Sequence, residues 1–409
     1  VQHLLSLKTS QKPRRNAART AGLILATTLA LSGCSQYPGS TDGLNGVDHT
    51  SSATGNYLPA VANDEPSVAA PPAIDTVDSS TPDAVSAANI STRVAPMATV
   101  ATTSRSALVP GAYKPTWRTT GVIAGSTLTK YNTGGADLVI TKDGTVLQNL
   151  EIFGDIKVRA KNVVIRNSIL RGGKHAPSNA TGIVDATSAA VSNLVVEDSY
   201  IRPTRPHHFR DGIVGHDYSA KRNHILRTND GLGIFNRPSG SVNANVVASG
   251  NYIHSLTYWD WSPYHSDGTH NDGIQVQGGQ NIRLVGNTID ASSIAGVGSS
   301  NGPRVPHAGI AIMLQQNVAK LANVVVEKNW VDNGQTSINV ANGKYSNITV
   351  TVRENRLGRN QQDYGNGSKY PIRVVKRSAS TITGLSTNRW ADNNVLLREG
   401  RDLGIRYNG

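Results

Sequence analysis

The stretch His270–Ile289, HNDGIQVQGGQNIRLVGNTI, holds two short apolar segments joined by glycines. The first, Gly273–Val276, is opened by Asn271-Asp272; the second, Asn281–Ile289, alternates apolar and polar residues through Asn287 to Ile289. Between them Gly278 and Gly279 permit a turn that a Cβ would resist. One such unit cannot close a core alone, so its recurrence decides the fold.

The unit recurs along the chain. Its second segment returns as NVVIRNSIL from Asn162, NLVVEDSYI from Asn193, DYSAKRNHI from Asp217, NVVASGNYI from Asn245, NVVVEKNWV from Asn323 and NITVTVRENRL from Asn347. The first returns ahead of most of these, as TGI ending at Ile183, DGI at Ile213, DGL at Leu232, AGI at Ile310, TSI at Ile338 and YPI at Ile372. Copies of about 20 to 40 residues with irregular insertions predict an all-β solenoid, a parallel β-helix in which each turn covers the apolar face of the last. Asn223, Asn251, Asn287, Asn329 and Asn355 fall at one bend of successive copies, where asparagine tolerates left-handed backbone and can stack into a side-chain ladder. These repeats resemble the pectin-lyase-like superfamily. A single-stranded, right-handed helix is what that resemblance implies.

The preceding sequence has a different character. Lys8, Lys12, Arg14, Arg15 and Arg19 lead into the apolar run Ala21–Leu31, too short for a bilayer span, and then Leu31-Ser32-Gly33-Cys34. Residues 1–34 resemble a bacterial lipoprotein signal with Cys34 as the lipidated residue, which implies anchorage on the outer face of a bacterial membrane; the alternative is a plain secretory signal and a secreted protein. The opening Val1 reads as an alternative start codon. Cys34 is the single cysteine, so no intramolecular disulfide can form and stability falls to the stacked core. Residues 35–108, rich in Ser, Thr, Ala and Pro and without periodicity, read as a disordered tether. Residues 109–409 read as one β-helix domain.

Charge points to the partner class. The chain carries 40 basic and 28 acidic residues; 8 and 7 of them precede Trp117, which leaves +11 on the remainder. An exported basic protein without a nucleic-acid motif points to an acidic polysaccharide rather than to nucleic acid. The long insertions Arg171–Ala180, Arg202–Arg210, His254–Asn271 and Ala291–His307 all follow a second segment and precede the next first one, so they emerge on one face and wall a groove. Tyr258, Trp259, Trp261 and Tyr264 fall in one of them, either as platforms for sugar rings or as a cluster packed on itself. Isolated His49, His224 and His254 read as surface or turn residues, and no spacing makes a zinc site.

Aligned on their apolar residue, the first segments form columns. Three residues before it stand Arg210, Asn229, Asn271, His307 and Gln335; two before, Asp211, Asp230, Asp272, Ala308 and Thr336; one before, Gly212, Gly231, Gly273, Gly309 and Ser337. Aspartates on consecutive turns stand about 5 Å apart, near enough for one to stay protonated while another ionises. Glycosidic hydrolysis needs such a pair. The order TNDGLGI at Asp230, HNDGIQV at Asp272 and HAGIAI at His307 is similar to polygalacturonase-type hydrolases. That resemblance implies Asp230 and Asp272 as acid and base, with His307 in support. It is partial, because Asn271 stands where that family has a second aspartate and its Arg-Ile-Lys motif is missing unless Arg373 substitutes.

Three functions follow. One is hydrolysis of an acidic polysaccharide without a cofactor. The second is β-elimination, with Ca²⁺ on Asp211, Asp230 and Asp272 and with Arg373, His270 or His307 removing the proton. The third is a non-catalytic glycan-binding helix. Strict alternation would turn the aspartates toward the core, and Asp-Gly is also a common turn pair whose carboxylate caps N–H groups. In that case Arg210, Asn229, Asn271, His307, Gln275, Asn339 and Arg373 form the groove floor.

Overall fold

The repeated unit folds as three short strands, because each asparagine-rich segment breaks at its internal bend: NLVVEDSYI becomes strands Leu194–Glu197 and Tyr200–Ile201. The computed structural model describes residues 108–235, 243–299, 309–345, 347–361, 370–376 and 380–407. The expected signal, Cys34 and nearly all of the expected tether lie outside the described residues, as does His307. Strands rotate in strict order through three sheets, which start with Thr129–Tyr131, Leu138–Ile140 and Val146–Gln148 and are called first, second and third below. Among the described residues these sheets hold ten, ten and nine strands. The chain is an all-β, right-handed parallel β-helix, the hand that parallel crossovers take almost without exception.

The core is a set of columns. In the second sheet Ile213, Leu232, Ile274, Ile312, Ile338 and Ile372 stand in register, all with no exposed surface. In the first sheet Ile201, Ile225, Ile253 and Ile289 likewise stand in register and buried. Each such side chain contributes roughly 1.5–3 kcal/mol on burial.

The register corrects two alignments. Val184, not Ile183, pairs with Ile213, and Ile312, not Ile310, pairs with Ile274. Repeats in sequence fix the strands but not the slip between them, since either isoleucine of GIAI satisfies the pattern. The second slip puts Ile310, rather than Ala308, in the aspartate column.

Buried polar ladders join the turns at the bend between third and first sheets. The Oδ1 of Asn251, Asn287, Asn329, Asn355 and Asn388 each accepts the backbone N–H and the Nδ2–H of the asparagine one turn earlier, at 2.8 to 3.2 Å. Nδ2 of each also donates to a main-chain carbonyl, such as Ala220 O for Asn251. Ser199 and Ser168 extend the series. From Asn223 to Asn355 the left-handed residue is the one before the ladder position: Arg222, Gly250, Gly286, Lys328 and Glu354 have φ of 51 to 65°. Among the asparagines that are themselves left-handed are the segment openers Asn162, Asn193, Asn245, Asn281 and Asn323, at φ 50 to 62°.

The insertions do leave from one place, the bend between first and second sheets. One of them adds a strand, Leu256–Tyr258, which pairs with Ser293–Ala295 of the next turn. His224 and His254, read above as surface or turn residues, are buried with Nε2 atoms 2.7 Å apart and stack with Tyr252. Among the described residues no helix is long and apolar enough to cross a membrane.

Candidate active site

At the bend into the second sheet the strand alternation is broken by glycine. A Cβ on Gly273 would lie 2.3 Å from Ile289 Cγ2, and one on Gly231 2.6 Å from Ile253 Cγ2, both core side chains. Glycine therefore takes the inward position next to an inward Leu232 or Ile274, and the aspartate before it turns out of the core. Asp211, Asp230 and Asp272 become a buried column on three consecutive turns.

The column is bonded along its length. The N–H of Asp230 donates to Asp211 Oδ1 (3.0 Å), the N–H of Asp272 to Asp230 Oδ1 (2.8 Å) and the N–H of Ile310 to Asp272 Oδ1 (2.8 Å). Asn229 Nδ2 donates to Oδ1 of Asp211 (3.2 Å) and of Asp230 (3.4 Å). Gln275 Nε2 donates to Asp272 Oδ2 (3.1 Å) and is held in turn by Gln277 Nε2 (2.7 Å). Asn271 braces the column from behind, donating to the carbonyls of Asn229 and Thr257, both at 2.9 Å.

All three carboxyls titrate high, with burial as the main cause. Asp211 is raised to about 6, against the lowering effect of the Asp230 N–H and the Asn229 amide. Asp272 is raised to about 7, against Gln275 and the Ile310 N–H, with the charge of Asp211 adding to the rise. Asp230, between the other two, is raised well above its ordinary value by burial and by both neighbours. One carboxyl thus keeps its proton near neutral pH while its neighbours ionise, which is the electrostatic condition for an acid–base pair.

The remaining expected site residues separate into groups. Arg210 is buried and engaged: its Nε and Nη2 grip Asp155 at 3.0 to 3.3 Å, and Nη1 and Nη2 donate to the carbonyls of Arg205 and His175. It braces two loops rather than facing the groove. Gln275 and Arg373 share the outward column of the second sheet, three strands or about 14 Å apart, with Met313 and Asn339 between them. Arg373 donates to Asn339 Oδ1 (2.9 Å) and Gln335 Oε1 (3.0 Å). The aromatics divide. Tyr258 and Trp259 are buried, the first donating to Asp267 O and the second lying against Gly296, whereas Trp261 is 59% exposed and edge-on to His208. Nε2 of His270 meets Asp267 Oδ1 at 3.0 Å and its ring stacks on His265, within one loop.

Calcium does not fit the column. Oδ1 of every aspartate points along the stack to an N–H, and the amides of Asn229 and Gln275 supply donors where Ca²⁺ takes six to eight oxygens. Among the described residues no group of three or more His, Cys, Asp or Glu is placed to hold a metal ion.

Asp155 and Gln277 escaped the sequence reading. Gln277 lies two residues from Gln275 on the same strand face and was open to detection by alternation. Asp155 is 55 residues from Arg210, and no local signal joins them. The fold and the carboxyl column define a parallel β-helix with a titrating polar face. No protein-family model, no curated protein and no solved structure matches the chain.

Proposed function

We propose that this chain is a polysaccharide-cleaving enzyme of the pectin-lyase-like type, anchored outside the cell through Cys34, that hydrolyses glycosidic bonds of an acidic polysaccharide. Asp230 is the acid and Asp272 the base, with Asp211 setting their titration; Gln275 positions Asp272, and Arg373 and Trp261 contact the polymer. One observation carries this reading. At Asp211 and Asp230 the column accepts N–H bonds through Oδ1 just as the asparagine ladder does, so asparagine would meet the structural need there, whereas Asp272 also accepts from Gln275 Nε2 through Oδ2, which an amide nitrogen could not do. A carboxyl at all three adds the capacity to titrate. The insertions that leave at this bend and the net basic charge of the chain support the same class.

The test is a screen against pectic, alginate, glycosaminoglycan and neutral polysaccharides, following reducing ends and the absorbance of unsaturated uronides together. Reducing ends without absorbance, lost in Asp272→Asn, are expected. Absorbance that rises with cleavage would replace hydrolysis by elimination. A second reading, a non-catalytic glycan-binding helix, is favoured by the closure of the site, since Asp272 is 1% exposed. Under that reading polysaccharide binds and no bond is cut.

A further inference from the structure

Beyond the aspartate column the outer face of the second sheet continues through Val214 to Asp185 and Lys157, one and two strands further on. There a cavity of about 520 Å³ opens between the loop before Leu138 and the loop 173–180, a size that suits a small ligand. It abuts the column in register, because Thr181 in its wall pairs with Arg210, next to Asp211. Asp155, held by Arg210, forms the partition.

We propose that this cavity is a subsite of the groove that takes a neutral, hydroxyl-rich sugar unit rather than a uronate. The inference rests on reading this face as a glycan groove, and it narrows the substrate to a polymer that is not acidic at every unit. Lys157 Nζ stands 3.4 Å from Asp185 Oδ2 and contacts Thr181 Oγ1, while Asp185 Oδ1 is fixed by the N–H and the hydroxyl of Thr187 at 3.0 and 2.6 Å. A donor and an acceptor therefore sit side by side on rigid strands, and neighbouring sugar hydroxyls, each both donor and acceptor, match that pair. The charge disfavours the alternative. Asp137, Asp155 and Asp185 line the cavity with Lys157 and His175, and since Arg210 offsets Asp155 and Lys157 offsets one more, a single carboxylate is left over while His175 is neutral. A carboxylate entering would meet net negative charge on a chain that is otherwise basic.

Calorimetry on the full chain tests this, with neutral xylo-, gluco- and galacto-oligosaccharides and with oligogalacturonate as probes. Expected are binding of a neutral series and affinity lowered at least tenfold in Asp185→Asn and in Lys157→Gln. Binding of the uronate alone, of no probe at all, or of neutral sugars undiminished in both cavity variants would overturn the proposal. Should either variant melt early, a neutral sugar soaked into wild-type crystals decides, with density in the cavity supporting the subsite and an empty cavity removing it. The two proposals fail separately. Neutral binding with the stated losses but no cleavage leaves the subsite and removes the enzyme, whereas cleavage unaffected by either variant does the reverse.

Discussion

Two bends of the same helix solve the same problem with different atoms. At the bend into the first sheet an asparagine Oδ1 accepts the N–H of the equivalent residue one turn earlier, as Asn287 does for Asn251. At the bend into the second sheet an aspartate Oδ1 accepts the N–H one turn later, as Asp230 does for Asp272. The asparagine also donates, to a carbonyl, and so is neutral and satisfied on both sides. The aspartate has no donor unless it is protonated, and its neighbours are carboxyls. The neutral ladder is an element of stability. The ionisable one retains the geometry and adds a charge that depends on pH, which is the difference between a strut and a candidate catalytic group.

Exchange between the two bends gives the largest expected effects. Asp272→Asn preserves the ladder bond from Ile310 but loses the one from Gln275 Nε2, so it should cost about 1–3 kcal/mol of stability while lowering turnover about 10²- to 10⁴-fold, the usual worth of a general acid or base. Unchanged turnover would reduce the column to a strut. The reverse exchange, Asn287→Asp, places a carboxylate in the core against the Oδ1 of Asn329. It should destabilise the fold by about 3–5 kcal/mol at neutral pH and by less in acid, where the carboxyl regains a donor; equal losses at both pH values in denaturant melts would break the comparison.

Smaller effects sharpen it. Gly231→Ala puts a methyl 2.4 Å from Gly273 O and 2.6 Å from Ile253 Cγ2, and should cost roughly 1–3 kcal/mol as an overpacked core. The same variant should depress turnover by moving Asp230, whereas turnover unchanged beside a lowered melting temperature would separate the kink from the site. The pH dependence of stability completes the set. Asp211 and Asp272 have folded values raised to about 6 and 7, so their contribution is present below the unfolded value near 3.9 and is lost as pH rises through that range. His224 is lowered to about 3 by burial and by the charges of His254 and Arg202. Its contribution is present above the unfolded value near 6.5 and is lost as pH falls toward 3. Denaturation across pH should show both slopes, the first reduced in Asp211→Asn and the second removed in a His224→Phe variant.

Much of the fold was legible because a solenoid writes itself as repetition. The apolar alternation of NVVIRNSIL and its copies marked strands, and their count marked turns. The split of each copy into two strands was less visible, since the bend keeps the same residues apolar on either side. The ladder asparagines were legible up to Asn355; Asn388 belongs to a turn whose sequence, STNRWADN, lacks the opener that marks the others. The aspartate column was legible as TNDG and HNDG, but its orientation was not, because alternation alone points those side chains inward. Arg210 illustrates the limit. Its place beside Asp211 suggested a groove residue, and only the approach of Asp155 from a turn formed much earlier in the chain turned it into a brace.

By itself the sequence determined the all-β repeat, the bends at which asparagine, aspartate and glycine recur, and the one bend from which the insertions leave, because each depends on residues close together in the chain. The tertiary structure decided the register between turns, the outward turn of Asp211, Asp230 and Asp272, their raised titration, and the cavity at Lys157 and Asp185. Those depend on which atoms the stacking of distant turns brings within hydrogen-bond distance and which it removes from water, and neither is written in local order.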